Sequence, residues 1–138
     1  MTPEALMRRV ATAFEKGDLE PLFEAIDDHT VWKTASALSD MFRFGGEYKK
    51  RIGITEVLSR IATAYVFRRF EPMEIVASGE IVWGLFQVEA DYRPTGKKLK
   101  VEMAVRWRVR NGKIAEHQGF LDTASLLRQQ GELPHPSP

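Results

Sequence analysis

The chain contains no cysteine, which excludes disulfides, thiolate nucleophiles and cysteine-ligated metals. With no disulfide framework to imply an oxidising compartment, the cytoplasm is the default expectation. Charge of one sign is also missing. The 20 Lys and Arg against 19 Asp and Glu leave a net charge of +1, so no whole-molecule field would gather nucleic acid or an anionic membrane surface. No segment approaches the ~20 consecutive apolar residues of a membrane span, and the first residues lack the basic-then-apolar layout of a secretory leader. No spacing of His, Asp and Glu makes a metal site, and no Gly-rich phosphate loop follows a strand. The 138 residues, 43% hydrophobic and 28% charged, suit one globular domain with a single core. The expected division is a domain over 1–131 and a disordered tail over 132–138, where prolines recur.

The strongest pattern runs from Val82 to Asp122. Leu99, Val101, Met103, Val105, Trp107 and Val109 are apolar, while Lys100, Glu102, Arg106, Arg108 and Arg110 alternate with them. Period-two alternation of this length predicts a strand with one dry face. Gly79 to Tyr92 predicts its antiparallel partner through the turn Arg93-Pro94-Thr95-Gly96-Lys97. The early part of that partner (Ile81, Val82, Trp83, Leu85, Phe86) is apolar on both parities, which implies burial on both sides. A second turn, Arg110-Asn111-Gly112-Lys113, admits two geometries. A two-residue Asn-Gly turn sets Arg106 opposite His117, and a three-residue bulged loop sets Arg106 opposite Glu116. The bulged loop is preferred because it pairs opposite charges across the strands. It turns His117, Gly119 and Leu121 inward and Glu116, Gln118 and Phe120 outward.

Before the sheet, Thr2-Pro3 opens a helix whose face is Leu6, Val10, Ala13 and Phe14. Gly17-Asp18 turns into a second helix, and Thr30 to Ala35 has the composition of a short strand. Ser36 to Arg51 shows no period. Its Phe42, Phe44, Gly45, Gly46 and Tyr48 fit either a pocket rim or an anchored surface loop. A helix follows through Ile54, Val57, Leu58, Ile61, Ala62 and Tyr65, then a strand over Phe70 to Ser78 that Pro72 confines to an edge. Asp122 reads as the cap of a last short helix ending at Gly131.

The order of these elements, with Phe14 to Leu19, Asp27 to Trp32, Trp107 to Ile114 and Gly119 to Asp122, resembles the nuclear-transport-factor-2-like superfamily and, within it, the SnoaL-like and ketosteroid-isomerase-like proteins. The resemblance implies an α+β fold, a cone-shaped, strongly curved and mostly antiparallel sheet wrapped around N-terminal helices, in the manner of a cystatin-like α+β barrel. It also implies a pocket on the concave face for an apolar small molecule, acted on without a cofactor, and a homodimer formed through the convex face at Trp83 and Leu85. No nucleic-acid or membrane partner is expected. The superfamily hosts isomerases, cyclases, dehydratases, hydrolases and non-catalytic binding or interaction domains, so fold alone selects none of them.

Matching the steroid isomerase puts its base at Lys33, its helix tyrosine at Val10 and its sheet acid at about Val105, so that mechanism is lost. The last carboxylate of the superfamily's epoxide hydrolases falls at Gly119, which disfavours that mechanism too. His117 is the leading candidate for acid-base work, because imidazole exchanges protons near neutrality; the alternative is a core histidine held by a neighbour's carbonyl. Lys33 is either a desolvated polar partner for it or an exposed lysine at a strand end. The expected pocket wall comprises Val10, Phe14, Phe44, Tyr48, Phe86, Val88, Met103, Val105, Gly119 and Leu121.

Overall fold

A computed structural model describes residues 1–37 and 42–132. The proposed tail lies almost wholly outside them. The elements run α1 (Pro3–Glu15), α2 (Glu20–Ala25), β1 (Val31–Lys33), β2 (Glu47–Lys49), α3 (Arg51–Ala64), β3 (Tyr65–Ser78), β4 (Ile81–Tyr92), β5 (Lys97–Arg110), β6 (Lys113–Phe120) and α4 (Thr123–Gln129). The six strands form one sheet in the order β2-β1-β6-β5-β4-β3. All neighbours are antiparallel except β1 and β6, which run parallel. The sheet curves but does not close, leaving β2 and β3 as edges. No helix among the described residues is long and apolar enough to cross a membrane.

Local chemistry sets the ends of these elements. Thr2 Oγ1 accepts from the Ala5 N–H and Asp122 Oδ1 from the Ser125 N–H, so both anticipated caps are made. At the start of α2 the turn residue Asp18 lies one residue before the cap position. Leu19 occupies the cap position, while Asp18 accepts from the Glu20 N–H. Tyr65 starts β3 rather than ending α3, because the run Tyr65-Val66-Phe67 suits a strand better than another helical turn. β3 therefore begins five residues before Phe70, the expected start. Pro72 lies on the edge strand beside a register shift, and a second shift falls between Phe67 and Arg69. Such bulges sharpen twist and bend a strand, which curves the sheet over the helices. Within the segment read as aperiodic, Glu47–Lys49 pairs with β1.

The turn between β5 and β6 corrects the expected register. Asn111 and Gly112 both have positive φ, at 50° and 73°, and Arg110 faces Lys113, so the loop is the two-residue kind. A register shift then follows at Arg108/Val109. Beyond it Arg108 faces Glu116, Trp107 faces His117 and Arg106 faces Gln118. The turn is thus the geometry not preferred, yet the added residue restores the parity that the preferred geometry required. His117 and Gly119 are buried on the inner face and Phe120 is exposed. The expected pairing of charges is met by Arg108, whose Nε donates to Glu116 Oε2 at 2.9 Å.

α1 packs across β3 and β4 through Leu6, Met7, Val10 and Ala11. Gly84 makes this close approach feasible. A Cβ there would lie 2.5 Å from the Phe86 ring and 2.8 Å from Met7 Sδ. Two apolar clusters result. One is centred on α1, α2 and the β4–β6 inner face, and the other joins Phe42, Phe44, Tyr65, Tyr92 and Leu99 to Leu126 and Leu127 of α4.

Candidate functional site

Between these clusters lies a cavity of about 170 Å³. α1 contributes Val10 and Phe14, the segment after β1 contributes Phe44, and the sheet contributes Phe86, Val88, Met103 and Val105, with Leu121 just beyond β6. All eight were expected there. Gly119 does not itself line the cavity; it packs against the lining residue Met103, whose Cε would lie 2.6 Å from a Cβ placed there. Tyr48 does not line the cavity. Its hydroxyl donates to the Gly45 carbonyl at 3.0 Å and holds the chain after β1 in place.

His117 faces this cavity from β6 and is only 7% exposed. Two tryptophans hold it. The Trp32 ring stacks on the imidazole with centroids 3.6 Å apart and planes 4° from parallel. Trp107 Nε1 donates to His117 Nδ1 at 2.8 Å. Burial pushes the imidazole pKa down to about 3, because desolvation penalises the charged ring and no carboxylate of the described residues compensates. At neutral pH His117 is therefore uncharged. That changes the chemistry expected of it, since a ring far from its titration range does not shuttle protons at pH 7.

Lys33 does not join His117. β1 is paired with β6 so that Trp32 lies beside His117 and Lys33 beside Gln118. Trp32 is buried and Lys33 exposed. The strand is too short for its alternation to choose a face from sequence. The positions matched to the steroid isomerase's tyrosine and sheet acid, Val10 and Val105, do face the cavity, as apolar wall. Among the described residues that line the cavity there is no Asp, Glu, Lys or Arg. No group of three or more His, Asp or Glu among the described residues is placed to hold a metal ion.

Sequence reasoning missed Trp32 and Trp107 as the partners of His117. It also missed Tyr65, Phe67 and Phe70, which complete the aromatic wall. Trp107 sat visibly on the dry parity of β5, but its pairing with His117 depends on the added residue in β6. Tyr65 closes the far end of the cavity. Its hydroxyl donates to Gln130 Oε1 at 2.6 Å, Gln130 Nε2 donates to Glu132 Oε1 at 2.5 Å, and the Tyr92 hydroxyl donates to Glu132 Oε2 at 2.7 Å. Burial raises the pKa of Tyr65, and burial together with the Glu132 hydrogen bond pushes that of Tyr92 up to about 12.

The outer face of the sheet differs in kind. Trp83 and Phe120 are 43% and 44% exposed and stack at 5.9 Å. The α4 leucines pack into the inner cluster instead, leaving these rings to solvent. Arg108 and Arg110 are paired with Glu80, and Arg106 and Arg108 with Glu116, which makes the arginine row a salt-bridged surface.

Comparison with known proteins yields a family profile described as the SnoaL-like domain, matching residues 7–117. No curated protein matches the chain in sequence. Among solved structures, an NTF2-like protein of unknown function from Burkholderia pseudomallei superposes with a TM-score of 0.81 at 21% identity, covering 94% of this chain and 98% of that one. IdmH of Streptomyces antibioticus, described as a candidate polyketide cyclase, gives 0.75 at 24% identity, covering 95% and 99%. TerC, crystallised with polyporic acid, gives 0.78 at 18% identity, covering 94% and 99%. At these identities the likeness is one of fold.

Proposed function

The chain belongs to the SnoaL-like domain family, and from that membership we propose that it binds a neutral, apolar small molecule in the cavity beneath α1, with His117 at the polar end of the site. The observation that carries this reading is a cavity whose described wall is almost wholly apolar, with one part of it formed by an imidazole whose Nε2 has no partner among the described residues. His117 Nε2 makes no hydrogen bond among the described residues, although no fully buried side-chain nitrogen or oxygen is left unsatisfied. Nε2 is therefore open to the cavity. A packed core would have covered or paired that atom. The TerC complex with polyporic acid supports a small organic molecule as occupant in this fold, and IdmH supports a reaction on such a molecule. Any catalysis by these residues acts through hydrogen bonding and enclosure, because none of the described lining residues carries a charge.

The melting temperature with a panel of neutral aromatic compounds tests this. A ligand at a hundred times its Kd adds about 2.7 kcal/mol of stability, and Met103→Trp, which fills the cavity, should abolish the rise. No rise with any compound would mean that the cavity is closed to ligands. The exposed Trp83–Phe120 pair, with Val76 beside Trp83 across the β3–β4 pairing, favours in addition a homodimer through the outer face of the sheet. Sedimentation of Trp83→Lys should then report a monomer where the native protein is a dimer. A native monomer would remove that reading.

A further inference from the structure

Resting on the cavity being a ligand site, we infer that its ligand carries a hydrogen-bond acceptor, a carbonyl oxygen above all, that accepts from His117 Nε2–H, and that Trp107 is the positioning residue that fixes the imidazole in the tautomer able to donate. An indole N–H can only donate. With Trp107 Nε1 at 2.8 Å from His117 Nδ1, that ring nitrogen must present its lone pair. A neutral imidazole then carries its proton on Nε2, the atom open to the cavity. Protonating Nδ1 as well would set two N–H groups against each other at this distance. The buried environment, which holds the pKa near 3, acts in the same direction.

The surroundings of Nε2 favour an acceptor. The stacked Trp32 ring fixes the imidazole plane. Gly119 lets the Met103 methyl pack beside the imidazole, since a Cβ there would lie 2.6 Å from Met103 Cε and 3.7 Å from Nε2. With no charged side chain among the described lining residues, an anionic or cationic ligand would lose its hydration without a counter-charge from them, which favours an acceptor on a neutral molecule. A volume of about 170 Å³ compares with the roughly 150 Å³ that admits benzene, which suits a compound of one or two rings. In this tautomer Nε2 has no lone pair with which to take a proton. His117 would polarise a carbonyl rather than serve as a base.

Two measurements on the intact protein decide the matter. In ¹⁵N-labelled protein at pH 7, long-range imidazole correlations should show the buried histidine with a protonated Nε2 and an unprotonated Nδ1. Titration with acetophenone and with ethylbenzene, similar in size, should favour the ketone by roughly tenfold, and the ketone alone should move the Nε2–H resonance downfield. Trp107→Phe should mix the two tautomers and lower the ratio of ketone to ethylbenzene affinity several-fold, the ratio being used because Trp107 is itself part of the wall and its truncation alters the fit of both compounds. An Nδ1–H tautomer in the native protein overturns the inference, whatever the variant does. So does equal binding of both compounds with an unmoved Nε2–H, and in that case the cavity still stands as a ligand site. Failure of both compounds and of every panel member to bind defeats the ligand site itself.

Discussion

The two ends of the cavity are built from similar materials to opposite effect. At one end Trp107, Trp32 and His117 form a polar group that is half satisfied, with Nδ1 bonded and Nε2 left open. At the other, Tyr65, Gln130, Glu132 and Tyr92 form a chain in which each hydroxyl and each carboxylate oxygen has a partner. A buried polar group costs stability unless it is paired. The satisfied end therefore serves the fold, clipping the chain after α4 onto β3 and β4. The open end keeps an unpaired donor inside an apolar chamber, which a protein tolerates where something else completes the bond.

The comparison breaks most visibly under acid, because a buried neutral histidine must charge when the chain unfolds. Below pH 6.5 the unfolded chain binds a proton at this ring that the folded chain refuses until the pH nears 3. Unfolding then takes up a proton, so stability falls as the pH is lowered. The slope is up to about 1.4 kcal/mol per pH unit. Between pH 6.5 and 5, above the ordinary carboxylate range in which Glu116 titrates once unfolded, urea unfolding should therefore lose about 1.5–2 kcal/mol. His117→Phe should be less stable at neutral pH, since it orphans the Trp107 N–H, but its pH slope should be nearly flat over the same interval. Equal slopes in the two proteins would mean that the ring titrates as if solvated, and the open end would then not be a dry chamber.

Much of this arrangement was legible in the sequence and part of it was not, for physical reasons that differ by element. Long alternation in β5 identified the inner face, and with it Met103 and Val105, because the pleat repeats over fourteen residues. The facing of His117 came out right although the turn was misjudged. The two expected geometries differ by one residue, and a bulge beyond the turn supplies that residue, so parity survived while the partners changed. Lys33 failed for want of length, since three residues of strand cannot show an alternation. Trp32 took the inner position because the parallel pairing to β6 sets it beside His117, and such a long-range register leaves no local trace. Tyr65 escaped notice because the helical period of α3 runs on through it. Its partners Gln130 and Glu132 lie where the sequence turns proline-rich and reads as unstructured.

A smaller effect separates the two ends without touching His117. Tyr65→Phe removes one hydroxyl from the satisfied network and leaves Gln130 Oε1, in a side chain that is 1% exposed, without its donor. The cost should be about 1–2 kcal/mol in urea unfolding, the range for orphaning one buried acceptor. The phenyl ring still fills the same volume against Phe44, Phe67 and Tyr92, so little is lost in packing. The preference for acetophenone over ethylbenzene should be unchanged, because the Tyr65 oxygen is already committed to Gln130 and does not reach the ligand. If that preference collapsed while the melting temperature held, the acceptor would be bound at the Tyr65 end. Roles would then be reversed, with the tyrosine hydroxyl as the group that meets the ligand and the histidine as the one that belongs to the fold.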